Sequence, residues 1–384
     1  MPVESVASRD VEAPPTEPQP YPIAGGVVAT SQQPSGPAAV PNRFERMAIS
    51  SSHAAHIGSQ RELVRDLCAV VADLGDEPSR DERLFAVLQL GVLTALLLSF
   101  SWFYWWLPLS WIAVTAVLLA GMAYALILMA THEMVHGTWL GYPKFEQLLA
   151  CLLSWPMAWP HLTYSRLHRF HHRWNGTDTR DPERTTPQSQ ELEASGRLRR
   201  LLQRHPLHVR MLVLGGVGLI ADTAYKGRQL QAADRSLRRA YLVDGAGVIV
   251  LHSALLVVAI SQGVLLRYLL FWLLLERTIG AIMQFRGLVE HHGLWRVQGS
   301  HLLTQLYASR SITASPWLNA LMGGLPHHSV HHAFPWIPAA RLPKASQRIA
   351  SVLRRHKAPA MPQLSNYGEA MLLLWREAHM VVAD

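Results

Sequence analysis

Residues 84–132 read LFAVLQLGVLTALLLSFSWFYWWLPLSWIAVTAVLLAGMAYALILMATH, 49 positions without an Asp, Glu, Lys or Arg. A helix needs about 20 apolar residues to cross a bilayer, so this run is long enough for two spans. Pro108 divides it, just after the cluster Trp102-Phe103-Tyr104-Trp105-Trp106. Trp and Tyr favour the membrane–water interface. The stretch therefore reads as a helical hairpin with spans near 85–106 and 110–131, turning at the aromatic cluster. A second apolar hairpin follows at about 242–261 and 264–285, turning at Ser261-Gln262-Gly263. Residues 132–240 carry sixteen Lys and Arg; the two turns carry none, apart from Arg267 just inside a span. The positive-inside rule then places both termini and the middle segment in the cytoplasm.

The rest of the chain fits a membrane protein. Of its 384 residues, 16% are charged and 49% hydrophobic, with 13 tryptophans. Soluble proteins carry about 25% charged residues, so the net charge of +8 does not mark a soluble nucleic-acid binder, and no nucleic-acid partner is expected. Two cysteines, Cys68 and Cys151, build neither a disulfide scaffold nor a four-cysteine zinc or iron–sulfur site. Residues 1–42 hold nine prolines and no apolar period, which reads as a disordered tail. Their acidic start, without an apolar core, does not read as a signal peptide. Residues 43–83 read as a cytosolic or interfacial segment with a helix around Glu62–Leu74, stopped at Gly75. Residues 84–345 form the membrane domain and 346–384 a cytoplasmic helical tail. Within the domain, Leu148–Trp159 and Met211–Ile220 are apolar but too short to span, and read as interfacial or re-entrant helices. The expected fold is an all-α integral membrane protein, with four transmembrane helices in two hairpins and a cytoplasmic helical cap.

Twenty histidines are the anomaly. His132-Glu133-Met134-Val135-His136 closes the second span; its i, i+4 spacing puts both imidazoles on one helix face. His168-Arg169-Phe170-His171-His172 and His328-Ser329-Val330-His331-His332 share an i, i+3, i+4 spacing, and Glu290-His291-His292 follows the fourth span. Nine imidazoles (His132, His136, His168, His171, His172, His291, His328, His331 and His332) fall on one side of the membrane. So many rings in one place are tolerable when neutral and coordinating, and neutral imidazole suits iron, zinc, copper or nickel. Nine exceed what one tetrahedral ion uses, so two metals are implied.

The boxes HEMVH, HRFHH and HSVHH, set around four spans, resemble those of the membrane fatty acid desaturase/hydroxylase superfamily over residues 84–345. Two flanks strengthen the resemblance. Trp174-Asn175-Gly176-Thr177-Asp178-Thr179-Arg180-Asp181-Pro182-Glu183 is similar to the family's Asp-Pro segment after the second box, and Ala333-Phe334-Pro335-Trp336-Ile337-Pro338 to its continuation of the third. The first box has Glu where desaturases often have Asp, and with Glu290-His291-His292-Gly293-Leu294 it is also similar to membrane alkane monooxygenases. The resemblance implies a non-haem di-iron centre, ligated by the nine histidines, that uses O₂ to attack an unactivated C–H bond of a lipid or acyl substrate. The leading expectation is a fatty acyl desaturase. Hydroxylation or ketolation of an alkane, fatty acid or carotenoid, or decarboxylation of a fatty acid to a terminal alkene, fits the same scaffold. No haem, rubredoxin-like or nucleotide-binding motif is fused, so a separate ferredoxin, rubredoxin or similar donor with its reductase is expected. Together with an Ala/Leu/Arg-rich composition this suggests a bacterial inner membrane.

Other readings compete for single features. HEMVH also fits the zinc-protease pattern HExxH, which leaves seven histidines unexplained. Glu133, Asp181, Glu276 and Glu290 are candidates to hold ligand imidazoles from behind. Glu133 reads equally as a surface charge, and Asp181 as a cap. Glu276 with Arg277 reads first as an ion pair near the cytoplasmic end of the fourth span, and otherwise as support for the metal site or for a polar end of the substrate. His252, alone in mid-span, reads as a hydrogen-bonded core histidine; His161 and His301 read as non-ligands; His292 and His327 are possible replacements for their neighbours.

Overall fold

The computed structural model describes residues 59–185, 209–232 and 234–377. The expected tail at 1–42 and the arginine-rich stretch around Arg197–Arg204 lie outside them. The described residues are mostly helical. Helix α1 covers 59–71 and tightens into a 3₁₀ turn at Ala72–Leu74, where Gly75 ends it at φ 66°. A left-handed stop of this kind costs glycine no steric strain.

Helices α2 (Arg80–Trp106) and α3 (Trp111–His136) form the first hairpin. A capping box starts α2: Ser79 Oγ accepts from the Glu82 amide, and Glu82 Oε2 accepts from the Ser79 amide at 2.7 Å. Ser110 caps α3, and Gly137 ends it in the left-handed region at φ 72°. The second pair is α7 (Arg235–Ser261) and α8 (Leu265–His291). Three of these helices, α2, α3 and α7, are long and apolar enough to cross a membrane. The fourth, α8, is as long as α2 but carries Arg267, Glu276, Arg277 and Arg286. Most of α3 is buried, whereas few side chains of α2 and α7 are fully buried and many of their apolar ones are exposed. That division suits helices whose outer faces meet lipid.

Polar bonds lock the pairs together. The Tyr104 hydroxyl donates to the Arg267 carbonyl (2.9 Å), and the Arg267 guanidinium returns bonds to the carbonyls of Tyr104 and Leu107. Between the hairpins run α4 (Pro143–Ser154), a 3₁₀ turn at Trp155–Met157, and α5 (His161–Trp174). A π-helical turn, Val209–Leu214, leads into α6 (Gly215–Leu230). The short stretches expected at Leu148–Trp159 and Met211–Ile220 thus form these broken helices. Asp244, buried on α7, holds the start of α5: it accepts from the amides of Leu162 and Thr163, the Thr163 hydroxyl and the Trp155 indole, at 2.7–3.2 Å.

After α8 come α9 (His301–Tyr307), α10 (Pro316–Leu321), α11 (His328–Ala333), α12 (Leu342–Arg355) and α13 (Tyr367–Glu377). Strands β1 (Ser311–Ile312) and β2 (Gln363–Leu364) pair in parallel. Leu63, Leu67, Val71 and Leu74 of the N-terminal segment share one core with Leu306, Val330, Ile349, Val352 and Leu353. Ion pairs Arg348–Asp73 and Arg341–Glu82 clamp its rim. Helix α12 runs through the boundary expected at 345/346, and α1 packs on it, because neither amphipathic helix can bury its apolar face alone.

Candidate metal centre

Four elements deliver the nine histidines. The last turn of α3 supplies His132 and His136. Helix α5 supplies His168, His171 and His172, the end of α8 supplies His291, and α11 supplies His328, His331 and His332. Three sets of donor atoms converge, each within 4.8 Å: His132, His136, His168 and His331; His171, His291 and His332; and Glu290, His291 and His328. The last two share His291, so the sets describe two adjacent centres. His172 belongs to none of them but lies between: its Nε2 is 3.0 Å from His168 Nε2, and its ring stacks on His332 at 4.3 Å.

The outward nitrogens explain how the rings are held. His168 Nδ1 meets Glu183 Oε1 at 2.7 Å, His171 Nδ1 meets Asp181 Oδ1 at 2.8 Å, and His332 Nδ1 meets Gln305 Oε1 at 3.1 Å. Each oxygen accepts, so each ring carries its proton on Nδ1 and turns an Nε2 lone pair inward. His171 Nε2 then lies 3.3 Å from His291 Nε2, which lies 2.9 Å from His328 Nε2. Two nitrogens bonded to one ion at about 2.1 Å sit roughly 3 Å apart at right angles. In addition, among the described residues His132 finds no hydrogen-bond partner on either nitrogen, nor do His136, His331 and His332 on Nε2. Buried polar atoms are rarely left so. Converging, orphaned lone pairs are a donor set that fits metal ions.

Burial and the neighbouring imidazoles hold His172, His328, His331 and His332 far below the ordinary histidine range. These rings are neutral at pH 7, as ligands must be. His171 differs: burial pulls it down, but the Asp181 and Glu183 carboxylates outweigh that and leave it raised.

The four acidic candidates separate. Asp181 does both things expected of it, bonding His171 and accepting the Glu183 amide at 2.9 Å. Glu133 is buried, accepts from the Thr138 hydroxyl at 3.2 Å, and lies 3.9 Å from Nδ1 of both His132 and His331; it is no surface charge. Glu290 is 3.4 Å from His328 Nε2, close enough to stand among the donors rather than behind them. Glu276 bonds no imidazole. Its carboxylate accepts from the amides of Gly216 and Val217 at 3.0 and 3.1 Å and forms the expected ion pair with Arg277, so it pins the start of α6 rather than supporting a ligand imidazole among the described residues. Sequence reasoning missed Glu183 and Gln305 as imidazole partners. Glu183 sits in the quoted Asp-Pro flank, but nothing marks Gln305. His292 and His327 lie outside the three sets. His252 bonds the Trp155 carbonyl and His301 the Arg173 carbonyl. Burial lowers His161 to about 4.

An apolar chamber of about 120 Å³ opens beside His132, walled by Leu128, Met157, Leu219, Ile279 and Met283. A more polar chamber of about 110 Å³ touches Glu290, His291 and His328, and Trp159, Tyr164, Glu183, Leu219, Met283, Arg286 and Gly287 line both. The cavity thus passes both centres.

A sequence model of fatty acid desaturases matches residues 109–363, which include all nine histidines. The chain belongs to the fatty acid desaturase family. The family consists of membrane-bound oxidoreductases, typically metal-dependent, so the histidine clusters are sites that could hold metal ions in a protein of this class. No curated protein matches this desaturase-family chain in sequence. Its HExxH pattern is accounted for within the family's first box: His132 and His136 are joined by His168 and His331, a four-imidazole set for which a protease with one zinc has no need.

Proposed function

We propose that this chain is an O₂-dependent di-iron oxidase that desaturates a fatty acyl chain. The observation that carries the reading is the convergence of inward Nε2 atoms from α3, α5, α8 and α11 beside an apolar chamber. His132, His136, His168 and His331 would hold one ion; His171, His291, His328 and His332, with Glu290, would hold the other. His172 lies close enough to serve either. Iron held there supplies the activation of O₂ that attack on an unactivated C–H bond requires. The protein's own part is positional. Asp181, Glu183 and Gln305 fix ring tautomers, raising ligand basicity and locking orientation. The walls of α3, α6 and α8 exclude water and align the chain. Two electrons per turnover come from a separate ferredoxin- or rubredoxin-like donor. The four long helices form two membrane hairpins, with the boxes on the cytoplasmic side.

The test is metal content of detergent-purified protein from iron-replete cells, beside a His171→Ala/His331→Ala double variant. About two irons per chain, lost in the variant, support the reading, and so does a new unsaturated acyl product that needs O₂ and a competent reductase. One zinc, no iron and retention in the variant would sink it. The same product analysis separates desaturation from hydroxylation, ketolation and decarboxylation.

A further inference from the structure

Arg286 is a buried charged side chain that lines both chambers and that the metal centre does not explain. It lies on α8, one turn before the Glu290-His291 pair, and is only 7% exposed. It borders both chambers where they join, with Tyr164, Glu183 and Gly287. Its Nε and Nη1 are buried and donate no hydrogen bond among the described residues. Glu290, one turn on, forms an ion pair with Nε at 3.6 Å, too long for a hydrogen bond, and also faces His328. Glu183 is engaged by His168.

A buried guanidinium whose Nε and Nη1 donate no hydrogen bond is costly even beside one carboxylate. Its planar fork matches a carboxylate, so a ligand that brings one removes the cost. The adjoining chamber is walled by Leu128, Met157, Leu219, Ile220, Ile279 and Met283, which suits the hydrocarbon beyond that carboxylate. Resting on the oxidase reading above, we propose that the substrate is a free fatty acid whose carboxylate binds Arg286, with its tail in this chamber. His132 lines the same chamber and His328 the adjoining one. The carbons next to the carboxyl group, rather than mid-chain carbons, then face the centre. A carboxylate esterified to a carrier lacks the charge that Arg286 recognises.

The experiment compares equilibrium binding of dodecanoate, methyl dodecanoate, dodecanol and dodecyl phosphate to the iron-loaded full chain in nanodiscs, followed by product mapping. A charged hydrogen bond contributes about 1.5–3 kcal/mol, so dodecanoate should bind about tenfold or more tightly than the ester or alcohol. Arg286→Gln should erase that preference while leaving ester binding unchanged, and Arg286→Lys should restore part of it. Oxidation should fall within a few carbons of the carboxyl group. Equal binding of acid and ester by the unaltered protein overturns the proposal, and needs no variant to fold. Dodecyl phosphate binding as tightly as dodecanoate overturns the assignment to a carboxylate. Iron-dependent oxidation without acid preference sinks this inference and leaves the oxidase reading standing. Acid preference without iron or O₂-dependent product does the reverse.

Discussion

His171 Nδ1 lies 2.8 Å from Asp181 Oδ1, with both side chains buried. Ten residues separate them, and the turn after α5 folds back to bring them together. Glu183 repeats the arrangement on His168 at 2.7 Å. Such partners typically change metal affinity by 10–100-fold. We expect Asp181→Asn and Glu183→Gln each to weaken metal binding by about that factor. Competition with a chromogenic chelator measures it. Unaltered affinity in both variants would show that the carboxylates do not orient the rings.

Asp244 acts at a distance from the histidines. Its carboxylate accepts four hydrogen bonds from Trp155, Leu162 and Thr163, and so holds the first turn of α5 against α7. Asp244→Ala leaves those donors unsatisfied, at about 1–3 kcal/mol for each buried group left unpaired. The expected outcome is a lowered melting temperature together with loss of metal, although every histidine remains. Asp244→Asn keeps an acceptor and should lose less. Thermal melts with metal analysis on the same samples check both, and a melting shift without metal loss would detach α5 from this anchor.

The reach of the sequence ended where spacing ended. The charge-free run of residues 84–132 and Pro108 define the first hairpin, and box spacing alone puts His168, His171 and His172 on one face of α5. Which imidazoles share an ion depends on how α3, α5, α8 and α11 cross, and no local pattern encodes that. Glu276 shows the same limit. A carboxylate ten residues into an apolar helix signals a buried partner, but its acceptors' mates, the amides of Gly216 and Val217, lie 60 and 59 residues away in sequence. Gln305 carries no motif and becomes visible only when α9 packs beside α11.

Acid should weaken the metal-free protein. His172, His328, His331 and His332 have folded pKa values lowered below the ordinary value of about 6.5. The unfolded chain then binds more protons than the folded one, so stability is lost as pH falls through and below about 6.5. His171 is raised and Glu290 is pushed up to about 7 by burial, so these two act the opposite way, against the four rings. Glu183, whose pKa is lowered, adds its loss only as pH drops below the ordinary carboxylate value of about 4.3. Thermal melts of chelator-treated protein from about pH 7.5 to 5.5 should show a falling midpoint. A midpoint that rises over that range would contradict the neutral rings.

The apolar core around α1 yields a stability prediction separate from the metal. Leu67 is fully buried between α1 and α12, with Ile349 and Leu353 in the same core. Leu67→Ala should cost about 2–5 kcal/mol. Since α1 is otherwise held by rim contacts such as Arg348 with Asp73, the loss should appear first as local opening. Hydrogen exchange of α1 should accelerate more than that of α3. Uniform acceleration would mean that the whole unit opens together.

Two glycines of α8 separate folding from binding. At Gly280 the helix crosses α6 so closely that a Cβ would collide with the backbone of Gly215 and Gly216. Neither backbone can yield without breaking the Glu276 bonds that pin the same turn. Gly280→Ala should therefore reduce the yield of folded, metal-binding protein. At Gly287 a Cβ meets nothing within 4 Å, yet the residue lines both chambers. Gly287→Ala should fold and bind metal normally while filling space that hydrocarbon needs, and overpacking of a fitted site costs about 1–3 kcal/mol. Size-exclusion profile, iron content and dodecanoate affinity, measured on both variants, decide it. If Gly287→Ala binds dodecanoate as the unaltered protein does, the substrate does not pass this wall, and the chamber is not its site.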